Sequence, residues 1–371
     1  MSRAGTGAAA LVAAGLVLST PPARAAGQRL DLAAGLTTTY DTNLLQYSDS
    51  QLELFESGRR PDRFSLETLD DLVAAPDLAL TWQLDSGRGR RHVLRARGSA
   101  ALHDKNGTAD YRSLSLSWRE FFRGRRRISL GLYAVPHYYL RQLLAEDVVP
   151  LYPGLSRERR AEFALDIASA SFRQRAWREL ELELGYRLER RRYNREFRER
   201  DSFTHEGELL AGIARQRGSL EARLLYRASV ARAADGDEAP GVNDDPDLGY
   251  RGPGGGLGGR IDLAALGPLR AGADLDLDLE SRRFGSTRPF DTYHFGRRDL
   301  LLAVETGLRI QLHRASARAF WHYESNDAHL GTRAPLSGDA GSYRQHQVGL
   351  ALDVSASVWR SPAAPDHGTE E

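Results

Sequence analysis

Residues 269–280 read LRAGADLDLDLE. Leu269, Ala271, Ala273, Leu275, Leu277 and Leu279 fall on one parity, and Arg270, Gly272, Asp274, Asp276, Asp278 and Glu280 on the other. Wound as a helix, where residues three and four apart share a face, the stretch spreads carboxylates around every side. As a strand it presents one wholly apolar face and one charged face. The strand reading wins. Such a strand serves a soluble sheet with a wet outer face, or a closed barrel with lipid outside and water inside. The remaining sequence decides between them.

The same alternation recurs along the chain, at Leu30–Thr38, Leu78–Leu84, Leu94–Leu102, Leu114–Trp118, Ile128–Tyr139, Phe163–Ile167, Leu180–Leu188, Glu206–Ile213, Leu220–Tyr226, Leu257–Leu263, Leu300–Leu312, Ala315–Tyr323 and Val348–Val358. With the opening stretch this predicts about 14 strands, the even number that bacterial single-chain barrels use. In the Phe163 strand, Phe163, Leu165 and Ile167 are placed on the apolar face and Glu162 and Asp166 on the polar one. Pro136 predicts a bulge inside its strand. The connections alternate in length. Those near Asp85–Arg90, Phe122–Arg126, Arg175–Arg178, Gln216–Gly218, Leu266–Pro268 and His313–Arg314 are short; Asp41–Leu72, Arg141–Glu158, Ala233–Gly249 and Asn326–Gly341 are long. Short turns at one end and long loops at the other fit a membrane barrel, and a soluble sandwich has no reason to segregate them. Aromatics such as Trp82, Trp118, Tyr226, Trp321 and Trp359 sit toward strand ends, as interfacial girdles do.

Composition narrows the chemistry. Fifty-one basic residues balance 50 acidic ones, so no global charge points to nucleic acid. Lys105 is the only lysine, and there is no cysteine, which rules out disulfides, thiolate chemistry, zinc–sulfur sites and a lipoprotein anchor. Arg3, the apolar run Ala8–Leu18 and Ala23-Arg24-Ala25 form a secretion signal, with cleavage expected after Ala25. The run is shorter than the roughly 20 residues a spanning helix needs.

Gln347-Val348-Gly349-Leu350-Ala351-Leu352-Asp353-Val354 resembles the C-terminal assembly signal of bacterial outer-membrane β-barrel proteins, with Gln347, Gly349, Leu352 and Val354 at its defining positions. Aliphatic residues stand where aromatics are usual. The resemblance implies an all-β, transmembrane, antiparallel up-and-down barrel with short periplasmic turns and longer extracellular loops. Its partners would be the barrel assembly machinery, outer-membrane lipid and lipopolysaccharide. The expected organisation is a signal peptide at 1–25, the barrel at 26–359 and a disordered periplasmic tail at 360–371.

Alternation then assigns a lumen lining: Arg95, Arg97, Glu181, Glu183, Arg223, Arg260, Asp274, Asp276, Asp278, Arg309 and Arg318. Arg260 should face Asp274 across the Gly267 turn, so part of the lining neutralises itself. The expected function is a porin-like channel for small hydrophilic solutes in the Gram-negative outer membrane. The column Asp274, Asp276, Asp278 would bias it toward cations. The alternatives are an export or assembly barrel with a periplasmic partner, and a lipid-acting barrel enzyme for which no site is legible. No cofactor or metal is expected: the ten histidines lack metalloprotease spacing, and the acidic loop near Asp235–Asp247 lacks calcium-loop order. Gly252–Gly259 reads as a place where backbone passes closely, and Asn106-Gly107-Thr108 as a turn. The connection 41–72 predicts a short capped helix at Ser48–Phe55. Its apolar Leu52, Leu54 and Phe55 should pack into or over the mouth.

Overall fold

A computed structural model describes residues 27–361 except 60, 87–88, 124, 145–157, 232–248, 287–293 and 331–340. The signal segment, the heart of the acidic loop and nearly all of the expected tail lie outside the described residues. Fourteen strands form: β1 (Gly27–Asp41), β2 (Asp71–Asp85), β3 (Arg91–His103), β4 (Tyr111–Phe122), β5 (Arg126–Leu144), β6 (Glu158–Trp177), β7 (Leu180–Tyr193), β8 (Ser202–Arg215), β9 (Gly218–Ala231), β10 (Tyr250–Leu266), β11 (Leu269–Phe284), β12 (Arg298–Leu312), β13 (Ala315–His329) and β14 (Tyr343–Arg360). Each pairs antiparallel with its sequence neighbours, and β14 pairs with β1 to close the barrel. Closure leaves no strand edge unpaired, which a spanning sheet requires in lipid.

At one end the hairpins are tight. Arg178-Glu179, Gln216-Arg217, Gly267-Pro268 and His313-Arg314 each join two strands directly, with positive φ at Arg178, Gly267 and His313. Gly27 and Arg360 lie at this same end. The other end carries the connections 42–70, 104–110, 145–157, 194–201, 232–249, 285–297 and 330–342. That division is the one an outer-membrane barrel makes between its periplasmic and extracellular ends. Several strands run further toward the long-loop end than the apolar alternation shows. Asn326, expected to open a loop, is a buried residue of β13 paired with Tyr343. The apolar pattern marks only the stretch that meets lipid, whereas the hydrogen-bonded ladder continues above it with polar residues.

The alternating leucines turn outward. Leu78, Leu114, Leu184, Leu224, Leu308 and Val354 are each more than half exposed, on strands spread around the barrel. A contiguous apolar belt of that extent is a surface for hydrocarbon, not for water. No helix among the described residues is long and apolar enough to cross a membrane; the apolar surface lies on strands.

One strand departs from the expected parity. In β6, Ala170 pairs with the outward Leu130 and Phe172 with the outward Leu184. Phe163, Leu165 and Ile167 therefore face inward with Ser169, Ser171 and Arg173. Asp166 stands on the outer face, 2.9 Å from Arg192, and Glu162 shares that parity with its ring partner His137 at 2.5 Å. Both parities of β6 carry apolar residues, so the register against β5 and β7 decides which face is buried. As expected, the β5–β6 register slips around Pro136, between Val135 and Tyr138.

Candidate functional site

The inner wall is built by the parity opposite to the belt. Arg95, Arg97, Glu181, Glu183, Arg223, Arg260, Asp274, Asp276, Asp278, Arg309 and Arg318 all lie on that inner parity of their strands. Arg260 is the register partner of Asp274. The carboxylate of Asp274, however, is taken by Arg318, which also reaches Glu305 at 2.7 Å.

Several of the pairs skip a strand. Gly256 on β10 is the register partner of Arg223 on β9 and of Asp278 on β11. Arg223 and Asp278 meet as an ion pair above it. A Cβ at Gly256 would overlap the Asp278 carboxylate and stand 2.8 Å from the Leu277 carbonyl oxygen. The same device recurs on β12, where Arg318 reaches Asp274 on β11 past Gly307; a Cβ there would lie 2.6 Å from the guanidinium Nε. Gly252, Gly254, Gly256 and Gly258 all share the inner parity. The glycine run is thus a trough, letting arginines of β9 reach carboxylates of β11: Arg227 also joins Glu280 at 2.5 Å. Its role in the wall was not legible, because the sequence shows a missing side chain and not what passes over it.

Elsewhere Arg173 pairs with Glu183 and lies 3.5 Å from Glu181, Arg127 reaches Glu183 at 3.1 Å, and Arg97 reaches Asp77 at 2.9 Å. All of these pairs join strands at most three positions apart around the barrel. Among the described residues, charged side chains below the mouth bridge along the wall and not across it. Arg95, Arg119, Arg260, Arg270 and Arg309 make no ion pair there, nor do Asp262, Asp276 and Asp353.

The mouth is different. Asp41, the last residue of β1, faces inward and is 4% exposed. Its Oδ1 accepts from the Asn43 amide at 2.9 Å, and its Oδ2 accepts from Gln345 and Gln347 at 2.7 and 2.8 Å. Asn43 then closes a tight turn, donating to the carbonyls of Tyr47 and Arg344 and accepting from the Tyr47 amide, with Gln46 at φ +54°. The turn carries the chain into the opening. Gln46 donates to Glu324 of β13 at 3.1 Å, while the adjacent Leu45 carbonyl accepts from Arg141 of β5 at 2.7 Å. Five strands separate β13 from β5 one way around and seven the other. Two consecutive loop residues thus touch nearly opposite sides of the barrel.

The rest of the loop packs on this turn. Helix α1 (Asp49–Glu56) begins with a Ser48–Gln51 capping box. Leu52 and Phe55 pack with Phe64 and Leu69 against a buried core of Leu45, Tyr47, Leu66, Ala109 and Tyr139. Leu54 stays outside that cluster. Phe64 meets both Tyr47 and Phe55 edge to face. Asn106, read from sequence as a simple turn, is 2% exposed: its side chain binds Thr68 and Asp71 and accepts from the Glu67 amide, fixing where the loop returns to β2.

The four assembly-signal positions lie on β14. Gln347 holds Asp41; Gly349 lies beneath the Phe320 ring, where a Cβ would overlap the ring edge; Leu352 and Val354 are part of the outer belt. Among the described residues, no group of three His, Cys, Asp or Glu side chains is arranged to hold a metal.

No protein-family model matches the chain, and no curated sequence does. Among solved structures it is similar to a bacterial polysaccharide outer membrane secretin (12% identity, TM-score 0.43, covering 88% of this chain and 98% of that one). It is similar also to an anion-selective porin from Comamonas acidovorans (9%, 0.40, 89% and 99%). A third is the outer membrane channel DcaP of Acinetobacter baumannii (11%, 0.41, 89% and 98%). The fold is an outer-membrane-type β-barrel. The barrel is read from its own closed strand order, and the wall from this chain's own residues.

Proposed function

We propose that this chain is an outer-membrane channel for small hydrophilic solutes, narrowed at its extracellular mouth by the folded loop 42–70. The observation that carries the reading is the direction of the inner ion pairs. They run along the wall, within three strands of each other, and leave the centre below the mouth to water. A hydrated, charged lumen that spans an apolar belt is the physical requirement for passive diffusion.

The ion pairs argue against the cation preference expected from the acidic column. Asp274 and Asp278 are neutralised by Arg318 and Arg223, so the acidic column no longer acts as three free charges. In the middle of the wall, Arg95, Arg119, Arg260, Arg270 and Arg309, which make no ion pair among the described residues, outnumber Asp262, Asp276 and Asp353, which make none either. That excess favours small anions.

Planar-bilayer recording with the purified protein tests the reading. The wild type should conduct, and deletion of Asp49–Asp62 should raise the conductance. Absence of current in both forms removes the channel and moves the weight to an export or assembly barrel that needs a partner.

A further inference from the structure

Just above the belt, at the long-loop end, Arg251 on β10, Arg283 on β11 and Arg298 on β12 are direct register partners in one row: Arg251 opposes Arg283, and Arg283 opposes Arg298. The row ends at His329 on β13, opposite Arg298. All four are exposed and on the outer parity; Arg298 stands two residues from belt Leu300 and Arg283 four from Leu279, with Ser281, Pro253 and Asp327 completing the row between them and the belt. Like charges directly opposite on neighbouring strands destabilise a sheet, so an uncompensated row of three arginines costs stability.

The inner face at the same height shows what compensation looks like. Arg282 is bonded to Glu280 at 2.8 Å and Arg297 to Asp299 at 2.7 Å, each arginine one residue from a member of the outer row. Among the described residues, Arg251, Arg283 and Arg298 have no such partner. Asp327, the described acidic residue of the outer parity in the next row, is engaged by His329 at 3.3 Å.

We propose that this row binds the phosphorylated headgroup of an outer-leaflet glycolipid whose acyl chains lie on the belt below. Strand spacing of about 4.8 Å puts three guanidiniums within roughly 10 Å, a span that suits more than one phosphate on a single headgroup. Guanidinium matches phosphate oxygens in a bidentate way that a solvated lysine does not. The position at the edge of the belt selects a lipid over a soluble anion. The inference rests on the membrane-embedded reading of the barrel, whose failure would show separately as failure to insert into liposomes and to give a heat-modifiable band.

The test is native mass spectrometry of the full chain in mild detergent, titrated with bis-phosphorylated lipid A, its dephosphorylated form, phosphatidylglycerol and inorganic phosphate. Wild type should retain lipid A in preference to the other three. The variant R251Q/R283Q/R298Q should bind it roughly 100-fold more weakly, at about one factor of five per removed charge. R178Q at the opposite end should change nothing. A folded band in the triple variant excludes misfolding; should it fail to fold, the single variant R283Q, at the centre of the row, is read instead and should lose several-fold. Equal retention by wild type and variant, equal binding of the dephosphorylated lipid, or a preference for phosphatidylglycerol overturns the proposal.

Discussion

Arg223 and Asp278 are held together across an intervening strand, above Gly256, which is the register partner of both. This single relationship explains why a strand rich in glycine belongs to the wall of a barrel. It also makes glycine at 256 a requirement of the ion pair. Gly256→Val should push the pair apart, leaving partly buried charges unmatched, and cost about 1–3 kcal/mol. Gly98→Val is the control, because a Cβ at Gly98 would meet no other atom within 4 Å. Urea unfolding in lipid vesicles should show a loss for Gly256→Val only; equal effects would mean that the glycine serves strand curvature and not the pair.

The two faces of β11 should respond oppositely to the same charge. Leu277 faces hydrocarbon and Asp276 the lumen. Leu277→Arg should cost about 2–4 kcal/mol near mid-membrane, and Asp276→Arg little. Heat-modifiable gel migration reports both, and equal loss of the folded band would contradict the assignment of faces.

Selectivity should follow the unpaired charges. In a salt gradient the wild type should show a reversal potential of anion-preferring sign. Arg260→Gln with Arg309→Gln should reduce it, whereas Asp276→Asn should increase it. Cation preference in the wild type would refute the count of unpaired wall charges.

The mouth should loosen when its turn is unlatched. Asn43→Ala removes three hydrogen bonds of the inserted turn, one of them to the Arg344 carbonyl at the top of β14, and leaves the side chains of the wall in place. More frequent or longer openings are expected in single-channel traces, with the barrel's unfolding transition nearly unchanged. Unaltered gating would mean that the Arg141 and Glu324 contacts hold the loop by themselves.

Orientation can be checked on whole cells. Glu56→Cys, at the exposed end of α1, should react with an impermeant maleimide, and Arg217→Cys, in a tight turn at the other end, should not. Labelling of both would reverse or remove the topology.

The sequence by itself determined the class of fold. Two-residue periodicity repeated along the chain, with short and long connections in alternation, leaves a closed membrane barrel as the arrangement that buries neither the charges nor the strand edges. It also placed the capped helix at Ser48, the bulge at Pro136 and the opposition of Arg260 and Asp274. These are local properties: each depends on side-chain alternation, turn chemistry or the register of one hairpin. What the tertiary structure decided is non-local. The parity of β6 is set by its neighbours, because its own residues suit either face. Asp274 and Asp278 are neutralised by arginines two strands away, a distance along the chain that alternation does not report. The meeting of Leu45 with Arg141 and of Gln46 with Glu324 exists only once closure brings β5 and β13 around the same mouth. Alternation tells a residue which side of a wall it faces; only the closed ring tells it what stands opposite.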